Sequence, residues 1–251
     1  MTDDSTGTRV VDLLDVTDHP DSSVPAIPAA TVLLVRDARG SSGLEVLMIE
    51  RGQSTSFGGM WAFPGGVIEL DDIPEGSAPD PLPAARCAAA RETVEEVGLR
   101  VDPDDMVWWS HWVPPEHTPA PKRFSTWFLL SPAGVEHADE LVAVDGHEVR
   151  MHRWLRPDDA INSFMAGEFA AVAPTIVTLV DLARRTSVDH AVATAKVEHF
   201  ATRIVSTDDG RWCIWHGDAA YNTGDVNAPG ARNRMLIEAS TRHLYERSYW
   251  P

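Results

Sequence analysis

The stretch RETVEEVGL (91–99) decides how the rest of the chain is read. It closes a run, AARCAAARETVEEV (84–97), that is alanine-rich and free of glycine and proline, and Gly98 follows it as a stop. A helix over 84–97 is expected. On that helix Glu92, Glu95 and Glu96 stand at i, i+3 and i+4, so three carboxylates share one face. Like charges at this spacing cost roughly 0.2–0.5 kcal/mol per pair. Two readings meet that cost. Either the face is solvated, with Arg91 and Arg100 as partners, or it holds hard divalent cations, because Mg2+ prefers carboxylate oxygens and water. The helix taken alone favours the first.

Working outward, DDIPEGSAPDPLP (71–83) holds four prolines in thirteen residues and can only be loop. WAFPGGVIEL (61–70) and the polar GQSTSFGG (52–59) precede it. Further back, AATVLLVRD (29–37) and LEVLMIER (44–51) flank a Gly/Ser break and read as adjacent antiparallel strands. Downstream, MVWWSHWV (106–113), RFSTWFLL (123–130) and HEVRMHRWL (147–155) read as strands. Pro157 opens a helix to about 166, and Pro174 opens another, PTIVTLVDLARR (174–185). Beyond 188 a short helix around 189–198 precedes a hairpin over 201–215, turning at Asp209 and Gly210. The stretch GDAAYNTGDVNAPGARNRM (217–235) is turn-rich and resists placement. The expected organisation is an acidic tail over 1–25, with one ordered piece at VVDLLDV (10–16), a main domain over 26–187 and an extension over 188–251.

With FPGG (63–66) upstream of RETVEEVGL, the sequence resembles the Nudix hydrolase family. Its signature is G-x5-E-x7-REUxEExGU, where U is a bulky aliphatic. Arg91, Glu92, Glu95, Glu96, Gly98 and Leu99 match the second half, and Gly66 matches the opening glycine. Thr93 stands where U is expected. Asp72 occupies the place of the first glutamate, and 18 residues (73–90) replace the usual seven, an insertion of 11. That insertion coincides with the proline-rich loop, where added length costs little closure entropy. The resemblance implies an α/β fold, the Nudix α/β/α sandwich with a mixed β-sheet, here followed by a C-terminal extension. It implies that Glu92, Glu95 and Glu96, with the carbonyl of Gly66, hold Mg2+ or Mn2+ ions that grip a diphosphate. Arg91 would orient those carboxylates. Asp72 and Glu69 are further acids of the same turn.

The family draws its general base from the box or from a distant loop or strand. Glu148, just before the strand carrying Trp154, lies in the right part of the chain, although a surface glutamate at a strand edge fits it equally well. Arg51 and the loop before FPGG suit substrate phosphate. Trp127 is the aromatic chosen to face substrate, and loop 114–121 is a second element for selection. The inserted loop resembles the branch that includes coenzyme A diphosphatases, and Leu47, Arg51 and FPGG fit its upstream pattern loosely. The reaction implied is hydrolysis of a nucleoside diphosphate linked to a second group, with coenzyme A first and ADP-ribose or NADH behind it. The rival is a Nudix-like module that binds a nucleotide without cleaving it.

Composition bounds these readings. A net charge of −17 over 251 residues argues against nucleic-acid or anionic membrane partners. It admits a small polyanion bridged by divalent ions. Cys87 and Cys213 are too few for a disulfide scaffold and suit a reducing cytoplasm. MTDDSTGTRV (1–10) lacks the apolar core of a signal peptide, and no apolar run is long enough to span a bilayer. His147 and His152 stand five apart, which spoils a zinc-protease HExxH pair. The extension would pack on the domain or form a homodimer contact.

Overall fold

A computed structural model describes residues 25–40, 42–53, 57–75, 80–115, 122–133, 148–237 and 244–249. The tail piece at 10–16 and most of loop 114–121 lie outside the described residues. The chain divides into two compact units. One comprises Pro28–His111 and Thr126–Glu198, and the other Trp112–Ser125 and His199–Pro251 together with the chain up to Ile27.

In the first unit, β1 (Ile27–Asp37) and β2 (Leu44–Arg51) pair antiparallel as expected, with Val35 opposite Val46 and Asp37 opposite Leu44. Strand β3 (Trp61–Ala62) pairs with β2, and β4 (Gly65–Val67) pairs with β1, setting Thr31 opposite Gly65 and Ala30 opposite Gly66. Helix α1 (Pro81–Val97) follows. Strands β5 (Val107–Val113) and β6 (Phe124–Pro132) continue the sheet in the order β3-β2-β1-β6-β5, and β7 (Val149–Leu155) runs antiparallel to β2. The α/β class and mixed sheet expected from the sequence are present, with further strands after them.

Val32, Leu34, Leu47 and Ile49 are buried, and so are Leu33, Val35, Val46 and Met48, which the strand alternation sends to the opposite face. Strands buried on both sides need cover on both. Helix α1 covers the first face with Ala85, Ala88, Ala89 and Val97. These small side chains let the helix backbone lie close to the sheet. Helix α2 (Pro157–Met165) meets β2 and α3 (Ala173–Leu182).

Two expected boundaries move. Helix α1 begins at Pro81, inside the stretch read as loop, because Asp80 caps it by accepting from the Leu82 N–H at 3.0 Å and Pro81 sits where a missing N–H costs nothing. Helix α4 (Val188–Ala193) stops short of 198, ending where Thr194 turns its hydroxyl back to the His190 carbonyl at 2.6 Å.

Strand β8 (Glu198–Ala201) comes next in the chain, and in the second unit strands β9 (Arg203–Thr207), β10 (Gly210–Ile214), β11 (Asn233–Ile237) and β12 (Leu244–Arg247) form an antiparallel sheet in the order β12-β11-β10-β9. The hairpin expected over 201–215 is present, but its turn is Asp208 and Asp209, one position before the expected Asp209 and Gly210: Thr207 pairs with Gly210, so the glycine is the first residue of the returning strand. Trp112 stacks on Phe200 at 4.0 Å, and Trp215 meets both rings edge-on. The stretch that resisted placement is organised by one buried carboxylate. Asp218 accepts from the backbone N–H groups of Ala220 (2.8 Å) and Asn233 (2.7 Å) and is gripped by the guanidinium of Arg234. Burial alone would raise its pKa, but these partners outweigh burial and hold it below the ordinary 3.8.

Candidate active site

The FPGG turn sets the floor of the site. The Pro64 carbonyl accepts from the Thr31 hydroxyl at 2.6 Å and from the Val32 N–H at 2.9 Å, which pins the turn to β1. At Gly65, with φ +155°, a Cβ would collide with the Ala30 carbonyl, so the close strand approach requires glycine. At Gly66 a Cβ would strike the Glu92 carboxylate. The second glycine therefore leaves room for an acid. Gly65 contributes more directly, since its N–H donates to Glu96 Oε2 at 2.8 Å. The sequence reading named only Gly66; the glycine doublet was the available signal for Gly65.

On α1 the three glutamates have different surroundings. Glu96 continues the buried alanine stripe and is 2% exposed. Burial pushes its pKa up to about 7; the Gly65 N–H and Arg51 oppose that shift, while the nearby charges of Glu92 and Glu148 add to it. Glu92 is raised for the same leading reason, offset by its bond to Arg91. Glu95 is mostly exposed. Arg91 joins the set: its Nη1 lies 2.9 Å from both Glu92 Oε1 and Glu95 Oε2, and its Nη2 donates to the Val67 carbonyl at 3.0 Å. Its other contacts are to Asp72, which is buried in the 3-10 turn Leu70–Asp72. Asp72 thus reaches the site through Arg91. Glu69 is exposed at the start of that turn, where its backbone N–H donates to Asp72 Oδ2 at 2.8 Å.

Arg51 and Glu148 arrive together. The register between β2 and β7 slips by a bulge at Glu50 and Arg51, which sets Arg51 opposite Val149. Bulges re-aim side chains, and Arg51 Nη1 lies 3.5 Å from Glu96 Oε1. The Gly52 N–H donates to the Glu148 carbonyl at 2.7 Å, fixing Glu148 at the strand entrance, within electrostatic reach of Glu92 and Glu96. Residues 51, 66, 92, 96 and 148 are therefore gathered from four places in the chain: the end of β2, β4, α1 and the entrance to β7. Trp127 stands differently: it is 8% exposed, stacked on His111 at 4.2 Å, and belongs to the core cluster with Leu129 and Val149.

Among the described residues no three His, Cys, Asp or Glu side chains converge as a finished ion cage. Arginines lie among the acids instead. The donor set nevertheless fits a hard divalent cation. Its donors are carboxylate oxygens, and Glu92 and Glu96 both hold protons more tightly than usual because burial and like charge are incompletely compensated. Further positive charge would relieve that.

Comparison with known proteins identifies the family of the domain that carries this site. Residues 25–176 match the model of the NUDIX domain. Among solved structures, a NUDIX hydrolase from Alicyclobacillus acidocaldarius superposes with a TM-score of 0.58 at 25% identity, covering 70% of this chain and 99% of that one. An Ap4A hydrolase of C. elegans in a binary complex gives a TM-score of 0.41 at 20% identity, over 62% of this chain and 93% of that one. The NUDIX domain of Shewanella oneidensis NrtR complexed with ADP ribose gives 0.43 at 14% identity, over 66% and 91%. No curated protein matches the chain. No helix among the described residues is long and apolar enough to cross a membrane.

Proposed function

The chain belongs to the Nudix family and is a pyrophosphohydrolase of that family, and from that premise we propose that it splits the diphosphate of coenzyme A or an acyl derivative of it, ahead of ADP-ribose or NADH. The observation that carries the site reading is the packing of Glu92 against Gly66 and of Glu96 against the Gly65 N–H, with Glu148 within electrostatic reach of both acids.

In this reading Glu92, Glu95, Glu96 and the Gly66 carbonyl hold the divalent ions, with Mg2+ or Mn2+ the expected metal. When bound, such ions supply charge neutralisation on the phosphate oxygens and lower the pKa of a bound water. Arg91 orients Glu92 and Glu95 through its 2.9 Å contacts. Glu148 takes the proton from the attacking water as the new phosphorus–oxygen bond forms and the bridging one breaks. Arg51, 3.5 Å from Glu96, would contact a substrate phosphate. The reaction is assigned to residues 26–187, with 188–251 as an extension. The free thiols of Cys87 and Cys213 suit a cytoplasmic setting.

The test is a Mg2+-dependent screen of coenzyme A, ADP-ribose, NADH, dinucleoside polyphosphates and nucleoside triphosphates, with products identified. Cleavage of coenzyme A between its two linked phosphates is expected. Turnover of ADP-ribose or NADH instead moves the substrate, and turnover of none makes the chain a nucleotide-binding module. Glu148→Gln should lower kcat more than it raises KM.

A further inference from the structure

A single amide joins the sheet to the carboxylate helix. The peptide bond between Pro64 and Gly65 is a planar trans unit, so its carbonyl and its N–H point in opposite directions. The carbonyl accepts from the Thr31 hydroxyl at 2.6 Å and from the Val32 N–H at 2.9 Å. The N–H of the same amide donates to Glu96 Oε2 at 2.8 Å. Thr31, this amide and Glu96 are therefore successive links of one hydrogen-bonded chain that runs from β1 to α1. Such chains polarise, and each proton donated to the carbonyl makes the N–H beyond it a stronger donor.

Thr31 is the one polar side chain in the run AATVLLV (29–35), and it is buried. A buried hydroxyl costs free energy unless it is bonded, whereas valine offers the same branched shape without that cost. The turn does not need the hydroxyl to stay in place. The Val32 N–H already satisfies the Pro64 carbonyl, and strand pairing sets Thr31 opposite Gly65 and Ala30 opposite Gly66. The hydroxyl adds a second donor to the amide whose other end holds a carboxylate. That carboxylate is too buried for bulk water to orient it, so its direction is set by the few groups that touch it, the Gly65 N–H first among them.

We infer that Thr31 is a positioning residue for the hydrolysis: through the amide between Pro64 and Gly65 it fixes Glu96 in the orientation in which that carboxylate holds metal. This rests on the reading of Glu96 as a metal ligand and extends it into β1. The test compares two variants of the full chain. Thr31→Val keeps the shape and removes the donor, and Thr31→Ser keeps the donor. In the valine variant, Mg2+ affinity by calorimetry and kcat on the diphosphate that the substrate screen identifies should each fall about tenfold. KM for that diphosphate should be unmoved, and the melting temperature should shift by only a few degrees. The serine variant should recover most of both losses. In a Glu96→Gln background the valine substitution should lower neither quantity further, because the carboxylate it orients is gone. Wild-type Mg2+ affinity and kcat in Thr31→Val, equal losses in the valine and serine variants, or valine losses that persist in the Glu96→Gln background would each overturn the inference and leave the hydrolase reading standing. A wild type that binds no Mg2+ removes the metal-ligand reading and this inference with it.

Discussion

Asp72 and Arg91, nineteen positions apart in the chain, meet in a two-pronged ion pair, with Nη2 3.0 Å and Nε 3.1 Å from the two carboxylate oxygens. The pair closes the inserted segment onto the helix that follows it. The bond to Asp72 is also the main reason why the guanidinium of Arg91 holds its proton even more firmly than arginine ordinarily does. One side chain thereby fixes the turn after FPGG and the two carboxylates beyond it.

Removing Asp72 should therefore act at a distance. Asp72→Ala leaves Arg91 without its anchor and the Glu69 N–H without its acceptor. Because Arg91 is partly solvated, the stability loss should be about 1–2 kcal/mol, read from urea midpoints. Hydrolysis should fall about tenfold as Glu92 and Glu95 lose their orientation. Asp72→Glu keeps the charge and should recover most of the activity; equal losses in both variants would show that Arg91 does not transmit the effect.

Gly66→Ala tests the room beside Glu92. The added Cβ meets the Glu92 carboxylate, which must swing aside. The strand pairing of Ala30 with Gly66 can persist, so the melting temperature should shift by only a few degrees. Activity should drop at least about tenfold, and calorimetry should show weaker Mg2+ binding. An alanine variant as active as the wild type would mean that Glu92 does not work in the position observed.

Much of this was legible in the sequence because it is local. Alternation fixed β1 and β2, and Gly98 ended α1 where expected, with φ +73°. The start of α1 was missed because Pro81 and Pro83 look like loop until Asp80 is recognised as their cap. What sequence spacing could not supply was register. Glu148 comes within reach of Glu92 and Glu96 only because a bulge at Glu50 and Arg51 shifts the β2–β7 pairing. Trp127 shows a related limit: alternation says that a strand residue faces one side, and the neighbouring elements decide that this side is packed into the core cluster. Strand β11 was invisible because its neighbours are organised by a buried ion pair contributed from two distant positions, Asp218 and Arg234.

That buried pair predicts the acid limb of stability. The folded-state pKa of Asp218 is depressed, so its contribution is fully present above the ordinary 3.8 and is lost as pH falls through the lower folded value. Asp218→Asn leaves the Arg234 guanidinium buried and uncompensated, at a cost of about 3–5 kcal/mol near neutrality. Urea midpoints measured from pH 6 down to 2 should fall more steeply below about 4 for the wild type than for the variant. Parallel curves would assign acid unfolding to other carboxylates.

Glu96 predicts the opposite slope at higher pH. In chelator, burial holds its proton up to about pH 7, whereas the unfolded chain releases it near the ordinary 4.5. Between those values the folded protein binds the extra proton, so stability falls as pH rises across the window. The loss should be on the order of 1–3 kcal/mol. Glu96→Gln keeps the volume and an oxygen for the Gly65 N–H but has no proton to lose, so its stability should stay level across that window. Mg2+ should restore the wild type at pH 8 and leave the variant unmoved, because only the ionised acid gains from a cation. Hydrolysis by the variant should fall at least about a hundredfold. A glutamine variant that hydrolyses at the wild-type rate would remove Glu96 from the machinery, and a wild type whose stability is flat from pH 4.5 to 7 would mean that the acid is not buried as observed.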